Sequence, residues 1–294
     1  MSRILLSAVG GSVAISIIRH LQSLGHTILG MDSNNECPAR YFVDEFFCSP
    51  SIENVDQYLS FIAHLNFDLF FPWLDEEHRL FATVKIDPIL RKRIVTSSPL
   101  SILTATSKLS TYNFAQTHRI RVADLTRTAP AFVRKDFSRG SKGAWLESSP
   151  ELLAQLDHSS HIIQTLLIGD EFTVDTLSDC SGKPLFALAR KRIKASNVSL
   201  IGEVVDEPEI IEIALKLLAN LPIIGPANIQ FIKNEEGIFL IEINPRIAGS
   251  AILSIHAGFD PLNSYIKIFH NEGFELPKPK YGLKMYRYLT EHYV

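Results

Sequence analysis

The first 31 residues alternate between strand-like and helix-like patterns, and this alternation constrains the fold more than any other feature. Residues 4–7 form a short apolar run, followed by a glycine turn at Gly10-Gly11. Apolar residues then recur at helical spacing over 13–24, and Gly25 is placed to end that helix. A second apolar run covers 27–31. Strand, turn, helix and strand form a βαβ unit, which predicts a parallel sheet with helices on its faces.

The same alternation continues through about the first hundred residues. The pattern predicts helices over 54–65 and 76–85, and strands over 68–73 and 94–96. Together with the first βαβ unit, these elements predict a doubly wound α/β domain. The whole chain has 294 residues, a length typical of about two domains.

The order of the predicted strands and helices changes after residue 99. Longer strands now follow one another with few intervening helices, which is typical of a largely antiparallel α+β region. The predicted elements are helices over 107–117, 151–156 and 208–220, and strands over 131–135, near 161–167, and over 171–177, 185–190, 227–233 and 238–244.

Composition excludes several classes of protein. A hydrophobic share of 46% and a formal net charge of −3 argue against a disordered chain and against a dedicated nucleic-acid binder. The three cysteines are widely spaced and form no metal-binding or disulfide pattern, which favours a reducing compartment and predicts a cytoplasmic protein. No apolar stretch approaches 18 residues, so we expect no membrane span.

The first glycine turn allows a dinucleotide-binding interpretation, with Asp32 as a ribose ligand. The match is poor, because the Gly-x-Gly-x-x-Gly pattern would need glycine where Ala8 or Val13 stands. A tight turn in an open α/β sheet explains the residues better. An NAD-linked oxidoreductase is retained as an alternative function.

The segment 134–143 combines four basic side chains with two glycines directly after a predicted strand. Glycines let backbone N–H groups approach an anion closely, and basic side chains neutralise phosphate charge. The segment therefore predicts either a phosphate-binding loop or a solvated surface hairpin. A second basic run, 190–194, likewise indicates either a solvated face or an anionic site.

The strongest local signal is a predicted hairpin that carries Gln230 and Glu242-Ile243-Asn244. With the turn centred on Glu236, Gln230 lies opposite Glu242 at about 5 Å, and Asn244 shares their face. Three oxygen donors with room for phosphates and water suit Mg²⁺. A polar, solvated hairpin face is the alternative. The predicted apolar face of this hairpin carries Ile229, Phe231, Ile241 and Ile243.

These pieces in this order resemble the ATP-grasp superfamily, in particular its carbamoyl phosphate synthetase-like branch. The segments 225–231 and 241–246 carry the most specific part of the resemblance, which extends over essentially the whole chain. It implies an N-terminal Rossmann-like (pre-ATP-grasp) domain followed by an ATP-grasp fold. The implied units are residues 1–104, a small lid subdomain over 105–167, and a C-terminal subdomain with the metal site over 168–294.

The resemblance also implies roles for individual residues. Gln230, Glu242 and Asn244 would hold Mg²⁺, with Mn²⁺ able to substitute, and Arg246 would face the transferring phosphoryl group. Thr165 departs from the family, which usually has an acid there. Lys108, Arg134 and Arg246 are the predicted catalytic residues; the predicted ATP-binding residues are Lys108, Arg134, Ser141, Gly143, Gln164, Leu166, Leu167 and Glu171; Arg190 and Arg192 are predicted to meet an anionic substrate.

The chemistry implied by the family is ATP-dependent joining of a carboxylate to an amine through an acyl phosphate. The expected partners are therefore small-molecule carboxylates and amines, with no nucleic acid and no membrane, and the resemblance allows a homodimer. A non-catalytic ATP-binding sensor is a second alternative, because the missing acid at Thr165 removes one expected nucleotide contact.

Overall fold

The computed structural model describes residues 1–11, 13–138, 143–195 and 199–294, and the strands of these ranges form three separate sheets. The first is a parallel sheet in the N-terminal part. The second and third are antiparallel and belong to the later part, where the sequence predicts a largely antiparallel region. Among the helices of these ranges, none is long and apolar enough to cross a membrane.

The N-terminal sheet has four strands in the order β3-β2-β1-β4, and all neighbours are parallel. The order reverses beside β1, because the chain moves to β2 and β3 on one side and returns to β4 on the other. Such a reversal opens a crevice at the carboxyl ends of the strands. The strands are β1 (Arg3–Ser7), β2 (Thr27–Asp32), β3 (Glu45–Cys48) and β4 (Leu69–Phe71).

Helices cover both faces of this sheet, which confirms the predicted doubly wound arrangement. Leu6 packs in one core with Ile18, whereas Leu29 packs in another with Ile62 and Phe81. The helices are α1 (Ala14–Ser23), α2 (Val55–His64), α3 (Asp75–Thr83) and α4 (Pro88–Arg93), with a 3₁₀ turn at Pro38–Tyr41.

The predicted strand over 94–96 is wrong in extent. Only Ile94 pairs with the sheet, through a single parallel bridge to Phe70. The chain then enters α5 (Pro99–Thr106), whose N-cap is the Ser98 hydroxyl.

A small three-stranded sheet follows two consecutive helices. The Ser107 side chain caps α6 (Lys108–Thr117) just after α5 has ended, so the helices meet at this residue. The sheet has the antiparallel order β6-β5-β7, formed by β5 (Ala131–Lys135), β6 (Ala144–Glu147) and β7 (His161–Gln164), with α7 (Pro150–Ala154) beside it. Because residue 104 lies inside α5, we propose moving the first domain boundary to Ser107.

The third sheet has six antiparallel strands in the order β12-β11-β8-β9-β10-β13. Its strands are β8 (Asp170–Ser178), β9 (Pro184–Ala195), β10 (Ser199–Val204), β11 (Gly225–Asn234), β12 (Gly237–Asn244) and β13 (Lys284–Tyr286); the helices are α8 (Pro208–Asn220), α9 (Ile252–His256) and α10 (Pro261–Phe269).

The two faces of this sheet differ in chemistry because side chains alternate along each strand. One face is apolar and packs Val174, Ile229 and Phe231 against Ala214 and Leu217 of α8. The opposite face carries Glu242, Gln230, Thr173 and Arg190 in one polar row across four strands, and Leu188 on the same face packs into a second apolar core.

One apolar core joins the N-terminal and C-terminal parts of the molecule. Ile4 and Ile17 lie in the same cluster as Leu188, Phe259 and Leu262. This shared core holds the carboxyl edge of the parallel sheet close to the end of β12, the second strand of the predicted metal hairpin.

Candidate active site

The predicted hairpin is present, and its register is as expected. Gln230 pairs with Glu242, which confirms the alignment derived from the turn. A β-bulge follows, because Phe231 pairs with Leu240 and leaves Ile241 as an extra residue. The expectation that Ile241 lies on the apolar face is therefore wrong: it is only partly buried, and its carbonyl accepts a hydrogen bond from Arg134.

The three predicted metal ligands lie together. The Glu242 Oε1 atom accepts hydrogen bonds from Gln230 Nε2 at 2.6 Å and from Asn244 Nδ2 at 3.1 Å. A half-turn of the Gln230 or Asn244 side-chain amide would exchange its nitrogen and oxygen, and the oxygen would then lie next to the Glu242 carboxylate. The cluster therefore offers one anionic and two neutral oxygen donors at a single point on the polar face.

This donor set fits Mg²⁺. Carboxylate and amide oxygens are the hard ligands that Mg²⁺ prefers, and Mg²⁺ usually keeps several water or phosphate oxygens as well. Within the described ranges, no group of three or more His, Cys, Asp or Glu side chains is arranged to hold a metal. A single protein carboxylate at Glu242 would therefore need phosphate oxygens to complete a magnesium site.

Arg134, near the end of β5, lies beside this cluster and is buried. Its Nη1 donates to the Ile241 carbonyl at 2.9 Å, and its Nη2 donates to Gln164 Oε1 at 2.6 Å. Burial lowers the pKa of the guanidinium, and the Glu242 carboxylate opposes that shift. The Nε atom is buried without a partner among the described residues.

Gln164 was predicted to contact ATP, but both ends of its amide are bound within the protein. Its oxygen accepts from Arg134, and its nitrogen donates to the Ala123 carbonyl at 2.9 Å. The side chain is buried. Its visible effect is to fix the orientation of the Arg134 guanidinium.

Lys108 is the first residue of α6, and its ammonium holds the start of the basic loop. The Nζ atom donates to the carbonyls of Asp136 at 3.1 Å and Ser138 at 2.7 Å. The pKa of Lys108 is lowered by burial, and the Glu242 carboxylate only partly opposes this shift. Asp136 also accepts from the Ser107 hydroxyl, so the loop and the helix N-terminus are tied together.

The central part of the basic loop, including the predicted ligand Ser141, lies outside the described residues, as do Arg139, Gly140 and Lys142. At the loop's end, Gly143 has a φ of +75° and its carbonyl accepts from Lys135 N at 2.8 Å. At its start, the Phe137 ring lies 5.1 Å from the guanidinium of Arg79 in α3. The phosphate role of this loop stays a prediction.

Arg246 joins the site to the N-terminal part of the chain. Its Nε donates to Asp75 Oδ1 at 2.7 Å, and its Nη2 donates to Asp75 Oδ2 at 3.2 Å and to Asn244 Oδ1 at 3.3 Å. Desolvation by burial works to lower the pKa of Arg246, but the Asp75 carboxylate outweighs it, so the pKa is raised. Burial likewise opposes ionisation of Asp75, yet Arg246 holds its pKa below the ordinary value.

The predicted ATP-binding residues Leu166, Leu167 and Glu171 lie at the edge of the site. Leu166 is exposed and Leu167 is half-buried, so both are open to a ligand. Glu171 Oε2 lies 3.0 Å from Arg192 Nη1, and the same nitrogen donates to Gln230 Oε1 at 3.2 Å. Arg192 thereby links the Glu171 carboxylate to the predicted metal ligands.

The expectation that Arg190 meets an anionic substrate is wrong. Its side chain is 1% exposed, and its guanidinium forms a two-point pair with Asp175 at 2.7 and 2.8 Å. A third bond, to the Ser250 hydroxyl at 2.7 Å, ties this pair to the segment after β12. Arg190 lies on the same face of the sheet as Glu242, as its strand position requires. The segment that leads from Ser250 into helix α9 covers it.

Sequence reasoning missed Asp75 and a cavity near it. Asp75 could be recognised in sequence only as one of three acids in the first turn of α3. The cavity has a volume of about 550 Å³ and lies at the carboxyl edge of the parallel sheet, where Ser7, Asp32 and Trp73 line it. Arg246 lies at its boundary, so the cavity opens next to the metal cluster.

Comparison with known proteins gives a partial sequence match and broad structural matches. Residues 157–291, somewhat less than half of the chain, match a family described as ATP-grasp in the biosynthetic pathway with Ter operon. No curated protein sequence matches the chain.

Three solved structures illustrate the structural matches. N5-carboxyaminoimidazole ribonucleotide synthetase from Thermotoga maritima has a TM-score of 0.68 and 16% identity, with 97% of this chain and 79% of that chain covered. The biotin carboxylase domain dimer of 2-oxoglutarate carboxylase from Hydrogenobacter thermophilus, with MgADP, ADP and bicarbonate, has a TM-score of 0.74, 15% identity, and 97% and 73% coverage. L-amino acid ligase from Bacillus licheniformis has a TM-score of 0.68, 12% identity, and 95% and 75% coverage.

Proposed function

Because this chain has the ATP-grasp fold, we propose that it is an ATP-dependent carboxylate–amine ligase. A substrate carboxylate oxygen attacks the γ-phosphorus of ATP, the bond to ADP breaks, and an acyl phosphate forms. The lone pair of an amine then attacks the acyl carbon, phosphate leaves, and the amine nitrogen loses a proton as the amide forms.

One observation carries this proposal. Two guanidiniums from separate parts of the chain flank Glu242 on the hairpin, since Arg134 donates to the Ile241 carbonyl and Arg246 donates to Asn244 Oδ1, and the Glu242 charge also opposes the lowering of the pKa of Lys108. Phosphoryl transfer requires positioning and charge neutralisation rather than covalent help from the protein. Three cations around one metal-binding carboxylate meet that requirement.

The residues divide the work by charge. Gln230, Glu242 and Asn244 would hold Mg²⁺ or Mn²⁺ together with phosphate oxygens, and the ion supplies charge neutralisation to the transferring group. Arg134 and Lys108 neutralise phosphate oxygens from the lid side. The nucleotide would meet Ser141, Gly143, Leu166, Leu167 and Glu171, with Gln164 acting through Arg134.

Arg246 is proposed to face the transferring phosphoryl group. Asp75 and Asn244 together limit the orientations that its guanidinium can take. Its Nη1 donates only to the Ile247 carbonyl, at 3.4 Å, and so keeps an N–H for one phosphoryl oxygen. Its raised pKa keeps the charge in place throughout turnover.

The names of the similar structures support this class of reaction. They include a ligase, a synthetase and carboxylase domains, and some contain ADP or MgADP. Those activities belong to the named proteins, and their low sequence identity supports the fold rather than a particular substrate pair.

The oxidoreductase alternative loses support at the first glycine turn. A dinucleotide pyrophosphate would use backbone N–H groups there. The Gly10 N–H instead donates to Asp32 Oδ2 at 2.8 Å, and an added Cβ at Gly10 would stand 2.8 Å from the same oxygen. The carboxylate therefore occupies the space that the pyrophosphate needs.

The test is release of ADP with paired carboxylates and amines, with the amide product identified by mass. We expect ADP release that needs both partners and Mg²⁺, and that is lost in Glu242→Gln. ATP binding without turnover by any pair would support the sensor alternative and contradict the ligase.

A further inference from the structure

The cavity at the carboxyl edge of the parallel sheet is large enough for a small metabolite. Its volume of about 550 Å³ lies within the range of small-molecule sites. Ser7 and Asp32 stand at the ends of neighbouring strands, where the strand order reverses. Its contact with Arg246 places any occupant beside the proposed phosphoryl-transfer site.

The basic charge of this cavity is already neutralised. Arg246 is the sole lysine or arginine among its described lining residues, and Asp75 pairs with it through both oxygens. A phosphate or carboxylate on the occupant would therefore find no unpaired cation among these residues.

The acidic charge is not neutralised to the same degree. Asp32 accepts hydrogen bonds from the backbone N–H groups of Gly10 and Asn34, both at 2.8 Å. No lysine or arginine of the described residues forms an ion pair with it. Two backbone donors hold the carboxylate in place and leave acceptor capacity for a ligand, since a carboxylate has about four acceptor sites.

Asp32 also closes the place where an anion would otherwise bind. A glycine turn leading into a helix N-terminus normally favours phosphate. Here the Asp32 carboxylate takes the Gly10 N–H and puts a negative charge at that turn. Like charges at such close range are strongly unfavourable, so the turn rejects an anion.

The remaining walls suit an organic cation. Trp73, Met31, Ile52 and Ile247 give the cavity apolar surface. An indole ring is the best aromatic partner for a cation, and apolar walls strengthen an ion pair by excluding water.

We propose that this cavity binds the amine co-substrate, and that Asp32 selects a positively charged, unphosphorylated amino compound and rejects anionic ones. This inference rests on the proposed ligase function. It replaces the anionic acceptor that the Arg190–Arg192 run suggested. It also separates this cavity from one suited to a ribonucleotide, which carries phosphate.

The test uses two probes of equal chain length, 1,5-diaminopentane and glutarate, with 1,5-pentanediol as the neutral reference. Binding is followed by ligand-observed NMR and calorimetry with the full chain. We expect the diamine to bind at least about tenfold more tightly than glutarate, and added salt to weaken the diamine but not the diol. Equal or tighter binding of glutarate would overturn the proposal without any variant.

Asp32→Asn keeps the side-chain shape and removes the charge, so it should reduce the preference for the diamine to near that of the diol. Asp56→Asn makes the same chemical change at an exposed position of α2 and should leave the preference unchanged. If both variants behave alike, Asp32 does not select the ligand.

Binding of ADP with Mg²⁺ is measured in the same samples. It should be unchanged in Asp32→Asn, because Asp32 lies outside the metal and phosphate cluster. Failure of the wild type to bind ADP would contradict the ligase and leave the charge preference of the cavity to be judged on its own result.

Discussion

Two glutamates show how differently the two halves of this site are built. Glu242, half-buried on the six-stranded sheet, accepts from the amides of Gln230 and Asn244, and the guanidiniums of Arg134 and Arg246 bind next to it. Glu77, in α3, accepts only from neutral donors: the hydroxyls of Ser7 and Tyr58 and the backbone N–H groups of residues 73 and 74.

The two glutamates therefore serve different purposes: Glu242 belongs to a charged site, and Glu77 maintains the shape of the cavity. Desolvation by burial raises the pKa of Glu77, and its hydrogen bonds only partly oppose this. No lysine or arginine of the described residues forms an ion pair with Glu77, which instead ties β1, α2 and the start of α3 together beneath the cavity. The cations gather instead around Glu242, where phosphate oxygens are proposed to lie. Each half therefore suits one substrate: ATP beside the hairpin, and an amine beside the parallel sheet.

The largest expected effect is on turnover in Glu242→Gln. The amide keeps an oxygen for Gln230 and Asn244, so the fold is expected to persist, but the metal loses its charged protein ligand. ADP release should fall by at least about a hundredfold, the range seen when one electrostatic stabiliser of a transition state is lost. The measurement is ADP release against Mg²⁺ concentration.

Two control variants sharpen this result. Gln230→Ala should cost less, because water can replace a neutral ligand. Glu212→Gln, on the exposed side of α8, should change nothing. Normal turnover of Glu242→Gln at low Mg²⁺ would make the hairpin structural and remove the main support for the ligase.

The next largest effect is on stability in Asp75→Ala. This change leaves the Arg246 guanidinium, whose side chain is 18% exposed, without its carboxylate partner. Breaking a buried pair in this way costs about 3 to 5 kcal/mol. Urea unfolding measures the loss, and Asp56→Ala at an exposed position gives the control. A variant as stable as the wild type would show that water reaches Arg246.

Arg134→Ala should lower the affinity for ATP by about tenfold or more, because hydrogen bonds to charged groups are worth about 1.5 to 3 kcal/mol each. It also leaves Gln164 Oε1 and the Ile241 carbonyl without their donor. Arg134→Lys should be milder, since lysine keeps the charge but lacks the planar fork. Calorimetry with ATP and Mg²⁺ measures this affinity. Normal ATP binding by the alanine variant would contradict the proposed role of Arg134.

The sequence predicted the parts of the fold that local patterns determine. The turn at 234–237 set the hairpin register, and the apolar periodicity of 208–220 gave α8 its observed bounds. The bulge at Ile241 was missed, because its carbonyl is taken by Arg134 from another sheet. The strands β3, β6, β10 and β13 and the helices α4, α5, α9 and α10 were also missed. Most of them are short and show little periodicity, but α10 has a clear apolar face with Leu262, Tyr265 and Ile266 buried and could have been recognised.

The candidate site was predicted unevenly for the same reason. The hairpin cluster depends on neighbouring strands, so Gln230 and Glu242 could be paired from sequence alone. The pair of Asp75 with Arg246 spans 171 residues and depends on how the two halves pack. Arg190 was predicted to meet an anionic substrate because it stands in a basic run, but Asp175 and Ser250 enclose it.

The smallest expected effect is a difference in pH dependence between two carboxyl groups of the same helix. Asp75 has a lowered pKa, so the stability it contributes is present above its ordinary value of 3.8 and is lost as the pH falls through its folded value. Glu77 has a raised pKa, so its contribution is present below 4.5 and is lost as the pH rises through its folded value.

Two conservative variants isolate these opposite slopes. Glutamine imitates a protonated glutamate and can donate to the Tyr58 oxygen, so Glu77→Gln should lose the decline in stability above pH 4.5. Asp75→Asn should instead lose the decline on acidification below pH 3.8. Urea unfolding across a pH series measures both. Parallel curves for Glu77→Gln and the wild type above pH 4.5 would show that Glu77 carries its charge in the folded protein as easily as in the unfolded one, and the contrast between the two glutamates would fail.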